Sequence, residues 1–533
     1  MRALGLGAAA VLITLLGFFL FPGHTYLQSD TQIYIPMLER LNNPALFARD
    51  IVALRPHLGL TIYDETALSL KRLIHTDLQW ILQAEQLVFR ALAVCGLMLI
   101  ALRCGLSGLQ AFFVAAVVSL GATINGAAVL TLEYEPVPRG FAISLLVFAL
   151  GLIAQESYIA AGIAAGAAFL YHAPTTIPFW GLAFLLAVAK RLRWTVFAPL
   201  AIAAALLAIL TRLQPPGVEA ASLMRRLDPF QETMQRLRTS YDFVSTWILN
   251  VRIGYVVQAL LCAVAFWRVR KIVPQPLRDF LWGLPLMGIV SVPVSFVLLE
   301  NQHWALVPAW QPARAILFVS LIAALLASIA AIRATSFLER ALWLTAAFLM
   351  PMQHAMVGRT IDPKPLYFAA ALAIVTAALS VVRKEALPVA AILAFWAIPQ
   401  SKLVENYPRI ETSELRAVAD WARTSTPEQA LFLFPDSGTN LAPGIFRARA
   451  LRGLYVDWKS GGQVNYFPEF SREWWRRWVE TGNGRWSTTP DDFPRLNAMG
   501  VDYVALKKPI PGAAPLFHND AYSVYATSSR DSR

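Results

Sequence analysis

Residues 313–332 read ARAILFVSLIAALLASIAAI, and Arg333 closes the run. At about 1.5 Å per residue a helix of this length covers roughly 30 Å, the thickness of a bilayer's hydrocarbon core. Backbone placed in hydrocarbon must satisfy its own hydrogen bonds, so the run is read as a membrane-spanning helix. Working outward, blocks of the same kind fall near 87–103, 108–124, 139–155, 157–172, 174–190, 194–213, 248–267 and 279–299, then near 340–353, 365–382 and 386–400. The first block, 3–21, follows Arg2 and resembles a signal sequence. No small-x-small cleavage site follows at Phe21-Pro22-Gly23-His24, so it is read as an uncleaved anchor. The sum is a mainly α, polytopic helical bundle of about 13 spans. Composition agrees, with 57% apolar and 15% charged residues in a chain of 533.

The charge pattern orients the bundle. With the N-terminus inside, the inside loops carry Arg103; Lys190, Arg191 and Arg193; Arg268, Arg270, Lys271 and Arg278; Arg333 and Arg340; Arg383 and Lys384. Basic loops mark the cytoplasmic side. They account for the net charge of +12 without a nucleic-acid partner. The mixed-charge loops 22–85, 125–138, 214–247, 300–312 and 354–364 fall outside, as does everything after residue 400. In a bacterium this makes an inner-membrane protein with a periplasmic C-terminal part. Cys95, Cys104 and Cys262 lie in or beside apolar blocks, without metal-ligand spacing, and read as buried small side chains.

Composition shifts after residue 402. A helix is expected over Glu414–Thr424, a buried strand over Ala430–Phe434 and another strand over Gly453–Asp457. Helices near 470–480 and 490–499 follow, then strands over Val501–Leu506 and Tyr522–Ala526. The alternation predicts a small soluble α/β domain over 403–533, beside a membrane domain over 1–402. Within 214–247, Met224-Arg225-Arg226-Leu227 and Met234-Gln235-Arg236-Leu237-Arg238 read either as an amphipathic helix on the outer interface or as a linker helix. Trp474, Trp475, Trp478 and Trp486, with Trp458, suit a domain core or docking face, or a stacking surface for sugars.

The outer loops hold the chemistry. The first carries Ser29-Asp30-Thr31-Gln32-Ile33-Tyr34-Ile35-Pro36, then Pro44-Ala45-Leu46-Phe47 and Arg49-Asp50. The second carries Glu133-Tyr134-Glu135-Pro136-Val137-Pro138-Arg139. Later segments hold His172, His303, Gln311 and Arg314. The pattern Asp30-x-x-x-Tyr34-x-Pro36 with Pro44-x-Leu46-Phe47-x-x-Asp50 resembles the first outer loop of the GT-C-type membrane glycosyltransferases, which use polyprenyl-phosphate or polyprenyl-diphosphate sugars. Ala430–Phe434, Arg452–Lys459 and Val501–Val504 resemble the outer domain of an uncharacterised bacterial branch of that superfamily. The resemblance implies an acid soon after the first span, acting as catalytic base or cation ligand, which Asp30 matches. It implies another acid between the third and fourth spans, which Glu133 and Glu135 match by location. Asp50 has no firm counterpart.

The reaction so implied needs a base on the acceptor hydroxyl and positive charge on the leaving phosphate. Arg139 and Arg314, at outer helix ends, suit a phosphate bidentately. Asp30, Glu133 and Glu135 would hold a divalent cation (Mg, Mn or Zn) if the reaction is metal-dependent. The donor would be a lipid-linked sugar, the other partners membrane lipids and an acceptor that is lipid, glycan or protein. Plainer readings stand beside these. Asp30 suits the N-cap of a helix at Thr31, the glutamates suit a solvated loop, and the arginines suit snorkelling. His172 suits bundle hydrogen bonding; His303 and Gln311 are lesser candidates. Other functions with such a layout are a polysaccharide polymerase, a lipid-linked-sugar translocase, a transporter or an inactive scaffold.

Overall fold

The structure, a computed structural model, describes residues 3–55, 60–214, 219, 224–383, 386–404 and 411–528; Arg2, His57 and Lys384 lie outside these. The N-terminal part runs α1 (Ala3–Phe19), α2 (Thr31–Asn42), α3 (Tyr63–Ile74), α4 (Leu78–Arg103) and α5 (Gly108–Val118). A ribbon of β1 (Thr123–Ile124) and β2 (Val129–Leu130) follows, then α6 (Pro138–Ala154), α7 (Tyr158–Val188), α8 (Ala198–Leu213) and α9 (Pro229–Arg238). Next come α10 (Leu249–Val269), α11 (Leu277–Ser295), α12 (Val307–Trp310), α13 (Leu317–Arg333), α14 (Phe337–Leu349), α15 (Gln353–Met356), α16 (Lys364–Val382) and α17 (Ala386–Gln400).

Among the described residues, six helical stretches are long and apolar enough to cross a membrane: Leu78–Arg103, Trp194–Leu213, Leu249–Val269, Leu277–Asn301, Val307–Arg333 and Lys364–Val381. Shorter apolar helices cover Gly5–Phe19, Gly108–Val118, Pro138–Ala154 and Ala386–Gln400. About 13 full-length spans are therefore not what these residues display. The blocks at 157–172 and 174–190 join into α7, broken where His172 leaves helical geometry (φ −156°, ψ 86°). The block at 340–353 is the short α14.

The run that opened the sequence reading is the bundle's centre. In Val307–Arg333, 94% of the apolar stretch is buried by neighbours, against 17% in Trp194–Leu213. On α8 and α10, Ile202, Ile209, Val256, Leu260 and Val264 are each more than half exposed. Such apolar faces on long helices suit lipid and are costly in water. Helices α4 and α6 touch backbone to backbone: a Cβ built on Gly151 would lie 2.6 Å from Gly96 Cα. That contact fixes the β2–α6 loop above α4, where Gln86 and Arg90 donate to the Glu133 carbonyl at 3.1 and 2.6 Å.

The C-terminal residues form α18 (Ser413–Ser425), β3 (Leu431–Leu433), α19 (Ala442–Ala450), β4 (Gly453–Leu454), α20 (Pro468–Glu480), α21 (Phe493–Ala498), β5 (Tyr503–Leu506), β6 (Phe517–His518) and β7 (Ser523–Ala526). Strand order is β4-β3-β5-β7-β6, with β3 parallel to β4 and β5, and β7 antiparallel to β5 and β6. The shift in composition near residue 402 is not a boundary in packing. Ile33, Met37, Ile51 and Val52 of the first loop share a core with Leu431, Val464, Trp474 and Val504. Buried Arg447 donates to Asp457 Oδ1 at 2.9 Å and to the Gln32 carbonyl at 3.1 Å. The sheet module is thereby clamped to the first loop.

Candidate functional site

Residues Ser29–Thr31 meet the loop 133–139 at the start of α2. The side chain of Asp30 makes no capping bond. Glu135 takes that role across the fold: its Oε1 accepts from Ser29 N at 2.8 Å and Thr31 Oγ1 at 2.5 Å, and its Oε2 accepts from Asp30 N at 2.9 Å. A carboxylate at a helix start satisfies otherwise orphaned amides and meets the positive end of the dipole. With its oxygens so engaged, Glu135 shapes the loop. Burial and the nearby charge of Asp30 push its carboxyl up, against the donors that favour the charged form.

Freed from capping, Asp30 points at two cations. Arg139 Nη1 donates to its Oδ2 at 2.7 Å and Lys459 Nζ to its Oδ1 at 2.8 Å. Lys459 also donates to Ser29 Oγ at 2.8 Å. The Arg139 fork continues to Glu133, with Nε 2.6 Å from Oε1 and Nη2 3.4 Å from Oε2. Gly140 makes room for this, since a Cβ there would lie 2.8 Å from Glu133 Cβ. Burial acts to raise the Asp30 carboxyl, but Lys459 and Arg139 outweigh it and hold the group well below the carboxylate range. The two cation partners therefore favour the ionised form of Asp30.

This donor set does not fit a resident divalent cation. Arg139 and Lys459 already occupy the oxygens that would ligate it, and Glu135 is spent on the α2 start. Among the described residues no group of three or more His, Cys, Asp and Glu side chains could hold a metal ion. Arg139 is likewise committed to Asp30 and Glu133, so it sets their geometry and has little left for a phosphate.

Arg314 differs. Its Nε donates to the Ala127 carbonyl at 3.3 Å and its guanidinium lies 5.2 Å from the Tyr241 ring centroid. It stands with Gln311 at the head of an apolar groove of about 360 Å³ between α7, α11 and α13, walled by Thr175, Gly181, Leu286 and Phe318. His172 links this groove to the first cluster. It lies within electrostatic reach of Arg139 and Arg314, and its Nδ1 pairs with Thr175 Oγ1 at 2.8 Å. Tyr34, Tyr241 and Tyr466 fill the space between, each within electrostatic reach of Asp30 and Arg314; burial raises all three phenols, Tyr466 to about 12.

Lys459, Tyr466 and Asp242 were not singled out from sequence. Lys459 ends the stretch Arg452–Lys459, which carries the resemblance to the outer domain, and nothing local marks it as the partner of a residue more than 400 positions away. Asp242 lies in the segment 214–247, where the arginines are the more conspicuous residues. That segment's α9 packs on the sheet module: Arg238 stacks 3.5 Å above the Trp458 ring.

Two lesser candidates sit elsewhere. Asp50 is fully buried; its Oδ1 accepts from Val52 N and Ala53 N at 2.8 Å and its Oδ2 from Leu454 N at 2.9 Å. It ties the first loop to β4 and cannot reach a substrate. His303 pairs with Glu232 at 2.9 Å on the surface, with a side chain 43% exposed. The tryptophans form a core, with Trp474 and Trp478 stacked at 5.8 Å and Trp474 fully buried.

The model of a family described as "Domain of unknown function (DUF6798)" matches residues 413–481, the stretch from α18 through α20 that carries Lys459 and Tyr466. No curated protein matches the chain. A crystal structure of ArnT from Cupriavidus metallidurans bound to undecaprenyl phosphate aligns with 12% identity over 99% of this chain and 98% of that one, at a TM-score of 0.48.

Proposed function

We propose that the protein is a membrane glycosyltransferase of GT-C type. It moves a sugar from a polyprenyl-(di)phosphate donor to an acceptor at the outer face of a bacterial inner membrane, with the N-terminus cytoplasmic and the sheet module periplasmic. One observation carries this reading: Arg314, whose Nη1 and Nη2 have no hydrogen-bond partner among the described residues, heads an apolar groove lined by Thr175, and His172 beside it lies within electrostatic reach of Arg139, the partner of Asp30. The groove suits an isoprenoid tail and Arg314 its phosphate. Positive charge at the departing phosphate stabilises the transition state, and the fixed anion Asp30 stabilises the cationic sugar that forms as the bond breaks. The carboxylates Asp30, Glu133 and Glu135 lie in loops at helix starts. A transporter would place such groups within its spans, so transfer is favoured over transport.

The test is release of undecaprenyl phosphate by the full chain in nanodiscs from a panel of radiolabelled undecaprenyl-phosphate sugars. Release from at least one donor, lost in D30N, is the expected result. A chain that releases nothing from any member of the panel overturns the reading.

A further inference from the structure

Every first-site carboxylate has a full complement of partners. Asp30 is gripped by two cations, Glu133 by Arg139, and Glu135 by the start of α2. None is placed to take up the proton that an acceptor hydroxyl must lose. Asp242 is different. It is buried, and Asn465 of the sheet module reaches it. Its partners are neutral: Asn465 Nδ2 donates to Oδ2 at 3.2 Å, and Thr239 and Gln311 hydrogen-bond to it. It shares a small cavity with Tyr241, Gln311 and Arg314. Gln311 and Arg314 are also the head of the groove assigned to the donor. Gln311 and Arg314 thus line both the cavity of Asp242 and the groove where the phosphate would sit.

We propose that Asp242 is the proton acceptor of the transfer reaction, a role that rests on the transferase reading. As the acceptor oxygen bonds to the anomeric carbon, its proton passes to an Asp242 oxygen. The bond from that carbon to the phosphate oxygen breaks, and its electron pair leaves on the phosphate beside Arg314. Charge balances, since one carboxylate is neutralised and one phosphate gains a charge. Asp30 keeps its ionisation throughout and acts through its field. Two carboxylates with divergent environments divide the labour.

The surroundings tune Asp242 for this task. Burial raises its carboxyl to about 7, while Arg314, Thr239, Asn465 and Gln311 pull it down less strongly. The groups that face it are Arg314 from the groove head, Tyr241 from its own segment and Tyr466 from the sheet module. A base poised near neutrality is efficient, whereas one ionised only at extreme acidity is a weak acceptor. Burial favours the protonated form, which cannot accept another proton, so the rate is expected to rise from acid pH toward neutrality.

The experiment follows the release of undecaprenyl phosphate between about pH 5 and 9 for the full chain, D242N and D242E, using a donor the full chain turns over. Binding of undecaprenyl phosphate to each variant is measured alongside. The expected result is a rate falling on the acid side for the full chain. D242N should lose about 100-fold or more and show no acid limb, with binding unchanged. D242E should keep an acid limb with a displaced midpoint. If D242N binds the lipid and keeps both the rate and the acid limb, the assignment to Asp242 is wrong while the transferase reading stands. If the full chain releases nothing from any donor, both fall together.

Discussion

Asp30 and Asp50 lie twenty residues apart after the first apolar helix, and the sheet module grips both, yet they are built for different ends. Asp50 gives its oxygens to three backbone amides and is closed off from solvent. Asp30 gives its oxygens to the ends of two long side chains, and a quarter of its own side chain is exposed. Amides belong to the fold and do not move without it. Lys459 and Arg139 hold the charge of Asp30 through side chains, beside a surface that substrate can approach. The same residue type thus serves architecture where its partners are buried amides and suits chemistry where they are charged side chains at a partly open face.

Substitutions break this pair in opposite ways. The largest effect is expected for D30N, which keeps shape and removes charge. Donor turnover should drop by about 100-fold or more, with a fall in melting temperature smaller than that of D50A because Lys459 and Arg139 lose a charged partner, measured by release assay and thermal denaturation. A D30N chain as active as the parent would remove Asp30 from the chemistry. D50A should do the converse, lowering stability by about 3–5 kcal/mol because three amides and Arg447 lose a buried partner. Its thermal midpoint should fall well below that of D30N, whatever its residual activity. Least is expected of H303A. This pair is exposed, so stability should change by less than about 0.5 kcal/mol and turnover should not change.

The contrast also explains what sequence could disclose. The central helix was legible because an unbroken apolar run has few other fates, and the elements Ser413–Ser425, Leu431–Leu433 and Ser523–Ala526 follow from local periodicity. The kink at His172 was not: its backbone leaves helical geometry inside an apolar run that reads as two spans with a gap. Asp30 and Asp50 each looked like an acid in a polar loop, and only their distant partners separate them. Lys459 and Leu454 come from the far end of the chain. Arg139 looked like a phosphate ligand because a guanidinium at a helix end suits one; its neighbours Glu133 and Asp30 consume it first.

Site acidity offers a further handle. Because Lys459 and Arg139 depress the Asp30 carboxyl, its contribution to stability is complete above the unfolded value near 4 and is lost as pH falls toward its depressed folded value. The parent chain should therefore lose more stability than D30N between about pH 4 and 2, as followed by thermal denaturation at each pH. Equal losses in the two chains would mean that the ion pairs seen at Asp30 do not persist in solution.

The central claim is that the groove headed by Arg314 holds the donor lipid. It is tested most directly by photo-crosslinking an undecaprenyl phosphate that carries a diazirine along its tail, followed by peptide mapping. The account predicts adducts on Thr175–Gly181 and Leu286–Val294, sharply reduced in R314A and by competing undecaprenyl phosphate. Adducts spread evenly over the lipid-facing sides of α8, α10 and α16, indifferent to R314A and to competitor, would contradict it.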